Sequence, residues 1–557
     1  MKPFVNCKAS VVLLGFVLPA LLSSCHPNIP IFRFQLVNQT PYFITDFRVA
    51  ESEAELETAE SRLESPLPPG SVADADVPDT GAYWLQATAD VDGTPMTITR
   101  GPETMSGGTS GWSWYMNNGA IAEGTSAAHL YAQSDLPIII IDTNSTPIPD
   151  EPKIDATMYI VDNGDGTPNR PVKGEAQFSS PIGIERRGNS SQTFPKASWS
   201  LELRDETGEG ANAALLGMPE EEDWVLYGPW MDRSLVRNVV GYGVWGDLGY
   251  YAPRTRFCEV YLVDERGEAP GSAYEGVYVL TERIKRDGDR VDIARLGEED
   301  IEEPAISGGY LLEIMLPSRL DANEIGLPLS GGFVASLVYP RPDNVLPVQQ
   351  AWIQKYLKDF ERALFGRTFT NPDTGYAAFI DEPSFIDYML LQEYFKNRDA
   401  FHSSTFLYKD REGVLHLGPI WDLNIGMGYF SFQGLEGTGD WLLNKEGGPI
   451  ERSPWTARLL EDPGFRERYI ARWRELRGGI LSTREMNARI DAAASELETA
   501  QVRQFVRWPS LGMTLLPDLR FLMFAGPHPD SYQGELQYMK NWLKERATWM
   551  DGNLGSL

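Results

Sequence analysis

The stretch that decides the fold runs from residue 396 to residue 429 and reads KNRDAFHSSTFLYKDREGVLHLGPIWDLNIGMGY. Its centre predicts a β-hairpin, because Thr405–Lys409 and Val414–Leu417 are apolar-rich runs separated by a short polar turn. Asp399 precedes the hairpin and Asp422 follows it, 23 positions later. A hairpin returns the chain close to its start, so we expect both carboxylates to face one cleft. Such a pair suits a Mg²⁺–nucleotide site, and the alternative is that either Asp only caps a turn.

A second stretch, Glu185–Lys196, reads ERRGNSSQTFPK and lies between two predicted strands. Small and hydroxyl residues form its middle, and cations flank it on both sides. Backbone N–H groups of such a loop cradle anions, and Arg and Lys side chains add positive charge. The candidate anion ligands are therefore Arg187, Asn189, Ser190 and Lys196. A plain surface turn is the alternative.

Length and composition predict a globular protein of two or three domains, with 557 residues, of which 42% are hydrophobic and 15 are Trp. The net charge of −30 argues against a nucleic-acid partner, because phosphate backbones would be repelled. The sequence contains no Walker P-loop and no His-Glu-x-x-His motif. Its five His give little basis for a His-rich zinc site.

The first 25 residues predict an export signal that ends in a lipidation site. Lys2 and Lys8 are the only charges, an apolar run follows over residues 11–22, and Cys25 comes after two Ser. The run is short for a membrane span. Because Leu-Ser-Ser-Cys resembles the bacterial lipobox, Cys25 is the expected lipid attachment, and an ordinary signal peptide with a chance Cys is the alternative. His26 follows where an Asp would favour retention in the inner membrane, so the outer membrane or cell surface is the expected location.

The pattern along the chain predicts an α+β protein in four parts. They are a signal peptide over 1–24, a β-rich module over 25–135, an α+β domain over 136–445 and a helical extension over 446–557 that packs on that domain. The β-rich module shows period-2 alternation typical of a small sandwich. Beyond residue 444 the apolar positions recur at helical spacing.

Six blocks follow one another along the chain: residues 187–196, 215–234, 274–285, 307–312, 397–399 and 419–422. In this order they resemble the CotH kinase family, over roughly residues 136–480. The resemblance implies an atypical protein-kinase-like fold for the α+β domain. It also implies transfer of the γ-phosphate of ATP to Ser or Thr of a protein, with Mg²⁺ or Mn²⁺. The expected partner is a protein substrate or a protein of the cell envelope.

By this resemblance, Asp422 would hold Mg²⁺ against the nucleotide phosphates. Asp399 would orient or deprotonate the acceptor hydroxyl, or share the metal. Lys196 would act as the catalytic lysine and contact phosphate together with Arg187. Glu282 or Lys285 would supply the ion pair that positions such a lysine, and a solvated strand end is the alternative for this last pair.

Two positions depart from the family pattern. Kinase catalytic loops place an Asn five residues after the Asp as a second metal ligand, and Ser404 stands at that position here. Family members often carry an acid two residues past the metal-binding Asp, whereas this chain has Asn424, which binds metal without adding charge. Both departures leave room for weak or absent activity.

Two further features favour structural roles. Gly241–Gly246 matches Gly-x-Gly-x-x-Gly, but it lies within residues 234–248, which predict a helix and not a strand–turn–helix junction. Small residues that ease helix packing explain the match better. Cys258 lies in an alternating strand pattern, which indicates a buried thiol and not a nucleophile.

Two alternatives to a kinase remain open at this point. The first is a non-catalytic envelope lipoprotein, in which the kinase-like domain is a scaffold and the β-rich module binds polysaccharide or an envelope partner. Free ATP is scarce outside the cytoplasm, and fold resemblance does not establish activity. The second is a glycosidase that uses Asp399 and Asp422 as its carboxylate pair.

Overall fold

A computed structural model describes residues 32–39, 43–67, 72–77, 82–91, 94–104, 109–117, 120–125, 131–188, 190–267, 270–429, 437–443, 454–512 and 529–557. The predicted mixture of helix and sheet is confirmed. The expected signal segment, the lipidation site Cys25 and the candidate anion ligand Asn189 lie outside the described residues.

The first part of the described chain forms two sheets, in which most neighbouring strands are antiparallel. Its strands are β1 (Phe32–Gln39), β2 (Ile44–Ala50), β3 (Val72–Val77), β4 (Ala82–Val91), β5 (Thr94–Thr104), β6 (Thr109–Asn117) and β7 (Ala120–Thr125). One sheet has the order β3-β1-β6-β7 and the other β2-β4-β5. Alternate side chains of both sheets, such as Phe34 and Leu36 of β1 and Leu85 and Ala87 of β4, share one hydrophobic cluster. The two sheets therefore form a sandwich.

The next strands close into a barrel with the order β10-β11-β12-β14-β13-β8-β9. They are β8 (Ile138–Asp142), β9 (Ile154–Val161), β10 (Phe178–Arg187), β11 (Ser198–Leu203), β12 (Asp223–Tyr227), β13 (Thr255–Val263) and β14 (Tyr274–Glu282). Side chains alternate between the two faces of each strand. Trp199, Trp224 and Leu280 belong to the cluster inside the barrel. Their neighbours Val225 and Thr281 therefore face outward, towards the rest of the molecule.

Helix α1 (Arg237–Asp247) connects β12 to β13 and contains the Gly-x-Gly-x-x-Gly match, as predicted. A Cβ at Gly241 would lie 2.0 Å from Leu423 Cδ1, so this glycine permits close packing against the segment that carries Asp422. Cys258 is fully buried inside the barrel, and burial raises the pKa of its thiol to about 12. The predictions of a packing helix and of a buried, unreactive thiol are confirmed.

A short helix, α2 (Pro270–Ala273), precedes β14. A second sheet, with the order β16-β17-β15-β18-β19, follows the barrel. Its strands are β15 (Tyr310–Met315), β16 (Gly326–Pro328), β17 (Val334–Tyr339), β18 (Thr405–Lys409) and β19 (Leu415–Leu417). Antiparallel pairing of β18 with β19 confirms the predicted hairpin.

Helices surround this second sheet. They are α3 (Pro347–Phe365), α4 (Glu382–Phe395), α5 (Trp455–Leu460), α6 (Pro463–Gly478), α7 (Thr483–Ser495), α8 (Ala500–Arg507) and α9 (Tyr532–Asn553). One hydrophobic cluster joins α1, the outer face of the barrel, the second sheet and helices α3 to α9. Among the helices that the structure describes, none combines the length and apolar character needed to cross a membrane.

Candidate functional site

A cavity of about 640 Å³ lies between the barrel and the second sheet. One side, the barrel wall, consists of the outward faces of β11, β12 and β14 with the β10–β11 loop. The other side, the sheet wall, consists of β15, β17, β18 and the segments that flank the β18–β19 hairpin. Five predicted site residues line the cavity: Arg187, Lys285, Asp399, Asp422 and Asn424. Lys196 and Glu282 are not among the lining residues.

Helix α1 holds the segment that carries Asp422. The Asp422 N–H donates to the Tyr242 hydroxyl at 3.2 Å, and the Leu423 N–H donates to the Asn238 side-chain oxygen at 2.9 Å. The Tyr242 ring stacks on Trp421 at 5.6 Å. Asp422 has a φ of 55°, a left-handed conformation that costs free energy for a residue with a side chain. These contacts keep Asp422 in that conformation and fix its carboxylate in the cavity.

Asn397 connects the two acidic segments. Its Nδ2 donates to the Asp422 carbonyl oxygen at 3.2 Å, and its Oδ1 accepts from the Asp399 N–H at 3.3 Å. One buried amide side chain therefore sets the spacing of the two backbones. Sequence reasoning placed Asn397 in a motif but gave it no role. Its position two residues before Asp399 was the available signal.

Asp399 has an incompletely satisfied carboxylate. The residue is 9% exposed, and its Oδ1 accepts no hydrogen bond from any described residue. The nearest cation is Arg398, whose Nη1 lies 3.7 Å from that oxygen. Buried polar atoms without a partner are rare in folded proteins. Because Asp399 lines the cavity, this oxygen is available to a ligand there.

The electrostatic surroundings of Asp422 favour the same conclusion. Burial and the neighbouring charge of Asp399 raise the pKa of its carboxyl to about 7, whereas Arg187 and Arg319 oppose the rise. Two carboxylates in a shielded space disfavour one another's charged form unless a cation joins them. Carboxylate and amide oxygens are ligands that Mg²⁺ prefers, so Asp399, Asp422 and Asn424 form a donor set that fits this ion.

Arg187 stands at the start of the β10–β11 loop. Its guanidinium lies 5.6 Å from the centre of the Trp421 ring, and burial lowers the pKa of the guanidinium to about 10. The loop after it is tightly folded, because Gly188 has a φ of 107° and a Cβ there would lie 1.9 Å from Ser191 Oγ. Ser190 begins the short 3₁₀ helix Ser190–Thr193. Arg187, Gly188 and Ser191 all line the cavity, as an anion-binding loop requires.

Lys196 does not reach the cavity, which corrects its predicted role as a phosphate-contacting catalytic lysine. Its Nζ is fully buried and donates to the Val277 carbonyl at 2.5 Å and to Gln504 Oε1 at 2.7 Å. Gly276 has no side chain, and a Cβ there would lie 3.1 Å from this nitrogen. The loop therefore returns Lys196 to the outside of β14, beneath α8. Burial lowers the pKa of Lys196 well below its ordinary value.

Glu282 also lies away from the cavity, which corrects its predicted role in a catalytic ion pair. Its neighbour Thr281 lines the cavity, so strand alternation turns Glu282 to the opposite face. There it is fully buried and forms salt bridges with Arg254 at 2.9 Å and Arg290 at 3.4 Å. The carboxylate stabilises one end of the barrel.

Lys285 lines the cavity, but acids of the barrel already compensate its charge. Its Nζ lies 2.6 Å from Glu221, 3.2 Å from Glu222 and 2.9 Å from Asp223. Among the described residues, these three acids are the one group of three or more acidic, His or Cys side chains whose ligand atoms all lie within 4.8 Å of one another. The Lys285 ammonium already lies among them, so we assign this cluster to a salt-bridge network.

Sequence reasoning missed Glu313, which lies in β15 and lines the cavity. Its Oε1 accepts from the Ser404 N–H at 3.1 Å. Burial and the charge of Glu324 raise the pKa of its carboxyl to about 7. The available signal was a single acid in the otherwise apolar strand sequence YLLEIM.

The cavity has a different charge balance from the whole chain. Its described lining contains seven basic and seven acidic residues: Lys153, Arg187, Arg283, Lys285, Arg319, Arg341 and Arg398, with Glu202, Asp223, Glu313, Glu324, Asp343, Asp399 and Asp422. The chain as a whole has 49 basic and 79 acidic residues. The cavity is thus a place where an anionic ligand meets much less repulsion than elsewhere.

Comparison with known families gives a match over most of the chain. A family model for CotH kinase proteins matches residues 184–550. The chain belongs to the CotH kinase family. No curated protein matches it in a sequence search. The matched range begins in β10 and ends in α9. It contains the described cavity lining except Lys153, both acidic segments and helices α3 to α8 of this CotH-family protein.

Membership in the CotH kinase family indicates an atypical kinase-like function and, in general terms, ATP-dependent phosphotransfer. It agrees with the resemblance inferred from the six blocks, and it gives the glycosidase alternative no support. The sandwich of β1 to β7 lies before the matched range.

Proposed function

We propose that this CotH-family protein transfers the γ-phosphate of ATP to a Ser or Thr hydroxyl of a protein, in a reaction that depends on Mg²⁺. The observation that carries the proposal is the meeting of Asp399 and Asp422 in one cavity, opposite the Arg187 loop. The unpartnered Asp399 oxygen and the raised pKa of Asp422 give this site the character of a cation and phosphate site. Protein kinases place a catalytic-loop Asp, a hairpin and a metal-binding Asp in the same order.

In the proposed arrangement, the triphosphate lies between the β10–β11 loop and the two acids. The backbone of Gly188 and of Ser191 approaches the phosphates, and Arg187 supplies the positive charge expected of Lys196. Asp422 and Asn424 would hold the metal, and Asp399 would act on the metal or on the acceptor hydroxyl. A bound Mg²⁺ would neutralise charge on the phosphate oxygens.

Phosphate transfer forms one bond to phosphorus and breaks another. The acceptor hydroxyl oxygen forms a bond to the γ-phosphorus, and the bond from that phosphorus to the β–γ bridging oxygen breaks. ADP leaves with the electron pair, and the hydroxyl proton passes to Asp399 and then to solvent. Most of the rate acceleration would come from positioning and charge stabilisation, because the protein itself forms no covalent bond.

The test is transfer of radiolabelled phosphate from ATP by the purified protein, with Mg²⁺ or Mn²⁺ and a mixture of envelope proteins as acceptor. Asp399→Asn and Asp422→Asn keep the side-chain volume and remove the charge. We expect each to lower transfer by ~100-fold or more, because a metal site contributes several kcal/mol of charge stabilisation. Asp373→Asn, at an exposed loop position, is the matched control and should leave transfer unchanged. Equal transfer in all four proteins would refute the site.

A nucleotide-binding scaffold with weak or absent catalysis is the second candidate. Ser404 and Asn424 favour it. Ser404 replaces the Asn that kinases use as a second metal ligand, and Asn424 stands where family members often carry an acid. The same variants separate the two functions. A scaffold would bind ATP in calorimetry and lose that binding in Asp422→Asn, while showing no phosphate transfer in the wild type.

We also propose that the protein is exported and anchored by lipid at Cys25, in the outer membrane or at the cell surface. The support is the sequence of the first 25 residues alone. Mass spectrometry of the amino-terminal peptide should detect a diacylglycerol-modified Cys25. Cys25→Ala should move the protein from the membrane fraction, and an unmodified peptide would refute the anchor.

A further inference from the structure

Glu313 is an acid placed inside an apolar strand. Its neighbours Leu312 and Ile314 are fully buried in the hydrophobic cluster behind the second sheet. Because side chains alternate along a strand, Glu313 faces the opposite way, into the cavity. A carboxylate with no salt bridge to a described residue is costly at such a position. We expect an otherwise apolar strand to carry an acid at this position only if a ligand in the cavity interacts with the carboxylate.

The contact that Glu313 makes points to what that use is. Its Oε1 accepts from the Ser404 N–H at 3.1 Å, and its other oxygen accepts no hydrogen bond from the described residues. Ser404 has a φ of 51°, a conformation that exposes its backbone N–H to Glu313. Ser404 stands five residues after Asp399, where kinases carry a second metal ligand. The Glu313 carboxylate is therefore held beside the residue that stands in place of that ligand.

The charge of the site gives independent support. Asp399 and Asp422 are accompanied by Asn424, which contributes no charge. Glu313 lies close enough to Asp422 and Arg187 for their charges to act on its carboxyl. The carboxylate oxygens of Asp399, Asp422 and Glu313 do not all lie within 4.8 Å of one another in the described structure. The three side chains are therefore not placed to ligate one ion directly. Mg²⁺ keeps several of its waters in proteins, so an acid can act on the ion through a bound water without contacting it directly.

We propose that Glu313 is a third carboxylate of the divalent-cation site, which holds the ion through water of its hydration shell and supplies the charge that Ser404 and Asn424 lack. The inference rests on the proposed function, since it assigns a further residue to the same site. Glu313 is a positioning residue for the ion's hydration shell, and the phosphate transfer itself stays with Asp399 and Asp422.

The test uses Glu313→Gln, because the Gln side-chain oxygen can still accept from the Ser404 N–H. Glu324→Gln is the matched control, since Glu324 also lines the cavity and the same charge is removed. Mn²⁺ is titrated into each protein with a non-hydrolysable ATP analogue present, and free Mn²⁺ is followed by electron paramagnetic resonance. We expect the Mn²⁺ dissociation constant to rise ~10-fold or more in Glu313→Gln and by less than ~3-fold in Glu324→Gln. Thermal unfolding without metal should show that both variants are folded.

The outcomes separate the two proposals. If the wild type binds nucleotide and Mn²⁺ and Glu313→Gln binds Mn²⁺ equally well, only the role of Glu313 is refuted. The same holds if both Glu variants lose affinity equally, because a general charge effect would then suffice. If the wild type binds neither nucleotide nor Mn²⁺, the proposed function fails and the role of Glu313 fails with it. Should Glu313→Gln not fold, Glu313→Asp replaces it, with weakened Mn²⁺ binding expected from the shorter side chain.

Discussion

The two walls of the cavity differ in how fully the protein satisfies their charged side chains. On the sheet wall, Asp399 has a buried oxygen without a hydrogen bond, and Asp422 forms no salt bridge with a described residue. On the barrel wall, Lys285 is surrounded by acids. Elsewhere in the barrel, away from the cavity, Glu282 pairs with two Arg and Lys196 donates to two oxygens. Charges that the protein itself satisfies hold the fold together. Charges that it leaves unsatisfied are the ones available to a ligand.

Arg187 is the residue on the barrel wall that resembles the sheet wall. Burial lowers the pKa of its guanidinium, and it forms no salt bridge with a described residue. A guanidinium binds phosphate oxygens with two parallel hydrogen bonds, so it suits a phosphate site. The proposed site therefore uses Arg187, Asp399 and Asp422, whereas the contacts of Lys196 and Glu282 are structural.

The largest expected effect is on stability, at Glu282. Replacing it with Ala removes one of three carboxylates around the buried Arg290 and also the partner of Arg254. Breaking a buried pair costs ~3–5 kcal/mol in comparable cases. We expect the free energy of unfolding in urea to fall by about this amount. Glu298→Ala, at an exposed position, is the control and should change little. If Glu282→Ala lost nucleotide binding while its stability stayed unchanged, the original prediction that Glu282 belongs to the nucleotide site would be supported instead.

The second prediction compares Arg187 and Lys196, the two cations at the ends of the β10–β11 loop. Arg187→Gln removes a charged donor to phosphate and should weaken ATP binding by ~10–100-fold, with little loss of stability. Lys196→Gln is the matched control, and should lower the free energy of unfolding by ~1–3 kcal/mol through lost buried hydrogen bonds. Its ATP affinity should stay near that of the wild type. Calorimetry and urea denaturation of both variants check this, and the reverse pattern would break the comparison.

These roles show what the sequence could predict. Asp399 and Asp422 flank a hairpin, so pairing of β18 with β19 brings them together by local geometry alone. Whether Lys196 and Glu282 face the cavity or lie away from it depends on how the barrel closes and on the alternation of side chains in β14. A shift of one residue in the register of a strand moves every side chain to the other face of the sheet. No local sequence pattern determines which face each of these residues takes. The sequence could therefore place Asp399 and Asp422 in the site. It could not predict which charged residues of the barrel face the cavity and which face away from it.

Glu313 and Asn397 were missed for different physical reasons. Glu313 reaches the cavity only because β15 pairs with β18 across nearly a hundred residues of chain, which no local signal reveals. Asn397 acts through backbone groups of two segments that meet only in the folded protein. By contrast, the helix over the Gly-x-Gly-x-x-Gly match was predictable, because helical spacing is a local property.

The third prediction concerns pH in the metal-free protein. Burial and the charge of Asp399 raise the pKa of Asp422 to about 7, against the opposing charges of Arg187 and Arg319. A carboxyl with a raised pKa binds its proton more tightly in the folded protein than in the unfolded one. Stability therefore falls as pH rises from about 4 towards 7, and the loss is complete above the folded pKa.

Urea denaturation with a chelator at pH 5, 6, 7 and 8 tests this expectation. Asp422→Asn cannot ionise, so its stability should fall less steeply with pH than that of the wild type. Parallel curves for the two proteins would show that the Asp422 charge is compensated in the folded chain, which would remove one difference between the two walls.

The smallest expected effect sharpens the comparison within the sheet wall. In the Glu313→Gln protein, Asn424→Asp returns one negative charge beside Asp422, at the position where family members often carry an acid. We expect Mn²⁺ affinity to recover by about three- to tenfold, because a carboxylate adds a charged ligand where the amide was neutral. Asn323→Asp is the matched control, since it adds the same charge at an exposed position on the cavity rim. If both substitutions restore affinity equally, the overall charge of the cavity governs the ion. If only Asn424→Asp does, the ion responds to the placement of acids around Asp422, as the unsatisfied charges of the sheet wall indicate.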